Sequence, residues 1–328
     1  MKARVKVALI GFGNVGRHVA LELGKLGATI VSVSSSRGSL VGVDPETVIG
    51  LARRGGKLHE HPRLVEGVDP VEAAVKAGAE VAMITIPPSY QTGEPNRSIY
   101  YRLIDEGVSI ITADKTVLAK WYRDTMKRAR SMGVYIGYRA TVAAGIPAID
   151  MARGLRGREV EEIEAVLNST TNYLITLVKN GMDYQSAVEK AIEDQLAEPD
   201  PRVDTHGLDP AAKLAILAST LGYEASLEQV EREPLDKVLE DPEQVERLRS
   251  GEPLRYIAYA ELGKGIYKVE PRWLPPSNPL AGVTGIYNGV LVRLEGEQVL
   301  LSGPVGPAWR TARVMVTDLL DYMEYRVS

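Results

Sequence analysis

The 328-residue sequence contains no cysteine, which excludes disulfides, thiolate metal sites and a cysteine nucleophile, and suits a reducing compartment. A basic excess is also missing. Thirty-nine Lys and Arg stand against 43 Asp and Glu, for a net charge of −4. The cationic face that a nucleic-acid binder needs is therefore not expected. No apolar run approaches the length of a membrane span. The start, MKARVKVALIGFG, leads directly into a strand and a glycine turn instead of the long apolar core and cleavage site of a leader. His59 and His61 are spaced by one residue with no third ligand in view, so no metal site is expected. These absences point to a cytoplasmic protein whose partner is a small molecule, without nucleic acid or membrane. With 45% hydrophobic and 25% charged residues, the chain has an ordinary globular composition and is long enough for two domains.

Val5–Ile10 is a β-branched apolar run that ends in Gly11-Phe12-Gly13-Asn14-Val15-Gly16, and Arg17–Leu26 then has helical spacing. Strand, glycine turn and helix in this order form a dinucleotide-binding unit, because the glycines let the backbone approach a pyrophosphate at the helix N-terminus. The alternative is a glycine-rich βα turn in an unrelated α/β domain. The second strand, Thr29–Val33, runs into Ser34-Ser35-Ser36-Arg37, where an NAD site usually carries an acid for the ribose 2′-hydroxyl. Ser36 and Arg37 suit a 2′-phosphate, so NADP is favoured, with NAD still possible. Lys57 is either an auxiliary phosphate ligand or a solvated loop charge. Thr85, near the end of the predicted strand Val81–Ile86, and Lys115, after Val108–Thr112, fall at carboxyl ends of strands, where ligands of such sheets bind.

From Val160 the pattern changes to an α+β one. Strand Glu162–Leu167 precedes Asn168-Ser169-Thr170-Thr171-Asn172-Tyr173 and a helix; Ser169 and Thr170 are either helix caps or donors to a substrate carboxylate. The densest polar segment follows at Leu196–Leu217, LAEPDPRVDTHGLDPAAKLAIL. Pro199 and Pro201 favour extended chain at Glu198 and Asp200. Asp209-Pro210 reads as N-cap and first helical residue, with Lys213 in the first turn. There the helix dipole disfavours the charged lysine while Asp209 opposes that effect. A capped helix with a solvated lysine is the plainer alternative, but it leaves Glu198, Asp204, Asp209 and Lys213 unexplained.

The segment EPDPRVDTHGLDPAAKLAIL resembles the signature of homoserine dehydrogenases, and the resemblance runs through Thr92-Gly93-Glu94-Pro95, Thr112-Ala113-Asp114-Lys115, YRATVAAGIP (138–147), NSTTNY (168–173) and GPVGPAWRTARVMVTD (303–318). It departs from the family at Asp114, where Asn is usual, and at Ser169, Val305 and Pro307, where Gly is usual. Arg139 stands where the family has a glutamate that helps hold a monovalent cation. A guanidinium cannot ligate a cation, and the expectation is that Arg139 binds the same carbonyls in the ion's place.

The resemblance implies a Rossmann-type doubly wound parallel sheet (1–138, completed by a C-terminal helix, 308–328) plus an α+β catalytic and dimerisation domain (139–307), assembled as a homodimer. It implies reversible NADP-dependent reduction of aspartate 4-semialdehyde to homoserine. Lys213 is assigned as proton donor, Asp209 as its support, and Lys115 as an electrostatic group touching substrate or nicotinamide. Glu198 and Asp204, with Ser169 and Thr170, are assigned to the substrate. Gly306 joins the cofactor residues through the family's closing glycine segment. The rivals are a dehydrogenase for another small amino-acid aldehyde and a catalytically silent NADP-binding sensor.

Overall fold

The computed structural model describes residues 5–26, 28–194, 196–197 and 200–325. The chain forms two compact units, one from Met1–Ala144 with Gly306–Ser328 and the other from Gly145–Val305. The junctions that the resemblance implies lie after 138 and 307. Residues Arg139–Thr141 form a single 3₁₀ turn packed on the C-terminal helix, which draws them into the first unit.

The first unit runs β1 (Lys6–Ile10), α1 (Asn14–Leu26), β2 (Thr29–Ser35), β3 (Gly38–Val41), α2 (Pro45–Arg53), β4 (Val65–Glu66), α3 (Pro70–Lys76), β5 (Val81–Ile84), α4 (Asn96–Asp105), β6 (Ser109–Thr112), α5 (Thr116–Ser131) and β7 (Ile136–Gly137). The sheet order is β4-β3-β2-β1-β5-β6-β7. β1 pairs in parallel with β2 and β5, and β6 continues the parallel part to β7. A strand with neighbours on both sides and helices above and below must be apolar throughout, which accounts for the buried run Val7–Ile10. The chain winds from β1 to β2 on one side and returns to β5 on the other, so the switch point lies at the carboxyl ends of β1 and β5. β3 and β4 form an antiparallel extension of this sheet.

The second unit contains α6 (Ala148–Gly154), β8 (Val160–Val166), α7 (Ser169–Lys179), α8 (Tyr184–Glu193), α9 (Arg202–Thr205), α10 (Leu208–Leu221), β9 (Glu231–Arg232), α11 (Asp236–Leu239), α12 (Pro242–Arg249), β10 (Leu254–Glu261), β11 (Ile266–Trp273), β12 (Tyr287–Leu294) and β13 (Glu297–Pro304), after which α13 (Ala308–Tyr325) rejoins the first unit. Its sheet is mixed, in the order β13-β12-β8-β10-β11-β9. α10 is buried on nearly every side because its sequence is apolar all round, with small alanines that admit α6, β10 and β11 closely. β12 starts at Tyr287, after a turn in which Gly285 has φ +58° and the Tyr287 N–H donates to the Thr284 carbonyl (3.1 Å).

Candidate active site

The glycine turn after β1 meets the demands that its sequence implies. Gly11 has φ +101°, and a Cβ there would lie 2.8 Å from Thr85. On Gly16 it would lie 2.2 Å from the Gly11 carbonyl oxygen, so α1 can come this close to the turn only without a side chain. Thr85 closes the arrangement: its N–H donates to Ile10 (2.8 Å) and its hydroxyl to the Gly11 carbonyl (2.9 Å). Phe12 is buried and Val15 half-buried, whereas Gly13 and Asn14 are exposed. A Cβ on Gly13 would meet nothing within 4 Å, and α1 has no acid in its first turn. An open glycine before an unopposed helix N-terminus fits a pyrophosphate.

Ser36 and Arg37 are exposed at the tip of the β2–β3 hairpin, where the Arg37 N–H donates to Ser35 Oγ (3.3 Å) and its carbonyl accepts from Gly67 (3.1 Å). Lys57 is exposed on a different turn, as the residue before Leu58–Glu60. Lys115 is the N-cap residue of α5, at the end of β6.

In the second unit, three elements bring distant residues together. Lys213 Nζ lies 2.6 Å from Asp209 Oδ2, one helical turn earlier on α10, and donates to the Leu167 carbonyl at the end of β8 (2.6 Å). Asn168 caps α7 by accepting the Thr171 N–H (2.9 Å). Its Nδ2 donates to Asp204 (2.5 Å) and to Asp209 (3.0 Å). Burial and the Asp209 carboxylate beside it push Asp204 above the ordinary aspartate range. Thr170 donates to the Leu196 carbonyl (2.8 Å), and Ser169 occupies the first helical position, half-buried. The cap is thus Asn168, a residue the sequence reading did not assign to the site, although an Asn immediately before Ser-Thr-Thr is the available signal.

Two local readings are corrected here. Asp209 is not the N-cap of α10. Gly207, at φ 77°, holds that place because a Cβ there would meet the Tyr256 hydroxyl at 2.6 Å, and the Asp209 side chain is taken up by Asn168 and Lys213 instead. Lys213 is consequently the sixth helical residue, beyond the first turn.

Residues 147–320 match the homoserine dehydrogenase family pattern. The homoserine dehydrogenase of Sulfurisphaera tokodaii is 30% identical over 322 residues, covering 96% of this chain and 98% of that protein. The chain belongs to the homoserine dehydrogenase family. Among solved structures, that of a hyperthermophilic archaeal homoserine dehydrogenase in complex with NADPH aligns with TM-score 0.83 at 26% identity, covering 97% of both chains. The Thermoplasma acidophilum homoserine dehydrogenase aligns with TM-score 0.81 at 25% identity, over 98% of this chain and all (100%) of that one. Residues 2–94 also match the Glutamate/Leucine/Phenylalanine/Valine dehydrogenase pattern, consistent with the dinucleotide turn.

Arg139, which stands where the family has its glutamate, is engaged by the C-terminal helix. Its Nη1 lies 2.6 Å from both Asp318 and Asp321, and its N–H donates to Asp318 (3.0 Å). The guanidinium clamps α13, and this side chain does not fit a cation ligand. Among the described residues no group of three or more His, Asp or Glu is placed to hold a metal. Gly306 has φ +61°, so the left-handed turn keeps its glycine although Val305 and Pro307 flank it. Trp309 is 36% exposed, with the guanidinium groups of Arg310 and Arg313 5.1 and 4.7 Å from its ring centre. Glu198 lies outside the described residues.

Proposed function

We propose that the chain catalyses the reversible, NADP-dependent reduction of aspartate 4-semialdehyde to homoserine, and the observation that carries this is the Asp204–Asn168–Asp209–Lys213 cluster. The glycine turn, Thr85 and Gly306 hold the dinucleotide, with Ser36 and Arg37 taking the 2′-phosphate and Lys57 adding charge. The reduced nicotinamide supplies a hydride. As the aldehyde carbon accepts it, the carbonyl oxygen gains negative charge and requires a proton. Lys213 is the donor: two of its three N–H bonds point at Asp209 and Leu167, and the third serves the substrate oxygen. Asn168 fixes both carboxylates, so the lysine cannot follow Asp209 into another rotamer. Asp204 and Glu198 accept the substrate ammonium, Ser169 and Thr170 receive its carboxylate at the start of α7, and Lys115 stabilises the developing oxyanion. We further assign a homodimer formed through the face of the second sheet that carries Glu162, Glu164, Arg272 and Arg293, checked by light scattering.

The deciding experiment follows nicotinamide absorbance with aspartate 4-semialdehyde, using NADPH and NADH in separate assays. Preferential NADPH oxidation supports the reaction and the Ser36–Arg37 pocket together. Turnover with NADH alone removes the phosphate pocket, and cofactor binding without turnover replaces the enzyme with the silent sensor.

A further inference from the structure

Asp114 is 1% exposed in the turn between β6 and α5. Its N–H donates to Thr112 Oγ1 (2.9 Å), and its carbonyl faces the hydroxyls of Tyr100 and Thr112 (both 3.4 Å). Its Oδ1 accepts the N–H of Thr116 (3.0 Å), the first helical residue of α5. Lys115 is the single residue between these attachments, so Asp114 fixes the backbone before and after it. Thr116 in turn accepts the Ser89 N–H through Oγ1 (2.8 Å), which joins this turn to the loop after β5.

The other carboxyl oxygen, Oδ2, is buried without a hydrogen-bond partner. An ionised carboxylate in that state carries a large desolvation cost, whereas an uncharged carboxyl carries far less. The groups facing it do not offset that cost. From α4 come the Tyr100 phenol, which burial and Asp114 itself hold well above its usual range, and the amide of Asn96, which donates to the Pro87 carbonyl (3.0 Å) and, like the Thr116 side chain, favours the charged carboxylate by less than burial opposes it. β6 offers the Thr112 hydroxyl and α5 the N–H of Thr116. The opposing charge is the ammonium of Lys115, next in the chain, and burial outweighs it to leave Asp114 above the aspartate range.

We propose that Asp114 is a positioning residue that acts as an uncharged acid, holding Lys115 in its working place and recalling the lysine ammonium to itself once ionised. The inference rests on the role assigned to Lys115. The neutral form is the competent one, so activity falls as pH rises through the raised Asp114 value.

The test compares kcat, the KM for NADPH and the pH profile in Asp114→Ala, Asp114→Asn and Lys115→Met. D114A is expected to lower kcat about 100-fold with little change in the KM for NADPH, the signature of misplacement and not of lost binding. D114N keeps the acceptor for Thr116 and cannot ionise; it is expected to retain kcat within about threefold of the parent and to move the alkaline limb to higher pH. Wild-type kcat in D114A, a D114N as impaired as D114A, or an unmoved alkaline limb in D114N overturns the proposal. If D114A fails to fold, the D114N profile decides alone. An inactive K115M beside an active D114A removes this inference and leaves Lys115 in the reaction; an active K115M removes the Lys115 assignment itself.

Discussion

Replacing Lys213 by methionine separates proton transfer from packing, because methionine retains most of the side chain's length and removes its charge. In the structure the Lys213 side chain is 13% exposed and the Asp209 side chain 10%, so the pair is well shielded from solvent. Breaking a buried pair costs about 3–5 kcal/mol when the remaining charge is orphaned. Here Asn168 still donates to Asp209 at 3.0 Å, which places the stability loss nearer about 2–3 kcal/mol. The catalytic loss is larger. A positioned general acid contributes about 10²–10⁴ in rate, or roughly 3–5 kcal/mol of barrier. The expectation is therefore a folded enzyme whose kcat falls by about 10²–10⁴ while its Kd for NADPH, which the proposed cofactor residues set, stays within about twofold. Lys213→Arg is the control: a guanidinium keeps the charge but does not release a proton. If it is as slow as K213M, proton donation is the role. A K213M enzyme with kcat within about tenfold of the parent, or a loss confined to NADPH affinity, refutes the assignment.

Other consequences can be measured directly. Arg139→Ala removes the guanidinium 2.6 Å from Asp318, whose side chain is fully buried (0% exposed), and keeps the backbone donor; the urea midpoint should fall by the equivalent of about 3 kcal/mol, and R139A/D318N should lose less than the sum of the single changes. Arg37→Ala should raise the Kd for NADPH about tenfold or more while altering that for NADH about twofold or less, measured by cofactor fluorescence. Burial and Asp209 raise Asp204 above its unfolded value of 3.8. Its contribution to stability is therefore fully present below that value and is lost as pH rises through the folded one. Asp204→Asn removes this loss, so its unfolding midpoint should gain on the parent as pH rises from about 4 toward neutrality, and a constant difference would refute the sign.

What could be read from the sequence was local in origin. The β1–Gly11–Gly16–α1 unit was legible because strand pattern, glycine conformation and helix start all act within a few residues. The contents of α10 were legible for the same reason, but its start was not. Asp209-Pro210 satisfies the local rules for a cap, and the structure overrides them because the Asp209 carboxylate is claimed by Asn168, 41 residues away. Asn168 was passed over as an ordinary helix opener; only the fold shows that its Oδ1 serves α7 while its Nδ2 serves two acids. Arg139 meets Asp318 across 179 residues, a separation over which no spacing rule operates. The two-residue β9 was invisible because a strand that short has no alternation to detect.

The two aspartates are what favours the proposed catalytic role of the cluster over a structural ion pair. A lysine that only needed a counter-ion would be satisfied by Asp209 at i−4. Adding a second carboxylate beside the first is unfavourable, and the fold maintains it by spending one amide, Asn168, on both acids and by burying Asp204 so that its charged form is disfavoured. Burial and the neighbouring Asp209 incline Asp204 to keep a proton, while Asp209 is ion-paired to the lysine, an arrangement that suits the acid–base role proposed for the cluster. Each member stands on or immediately beside a regular element, Asn168 at the start of α7, Asp204 on α9, and Asp209 and Lys213 on α10, so the separation of acid and lysine is set by helical geometry instead of by loop conformation.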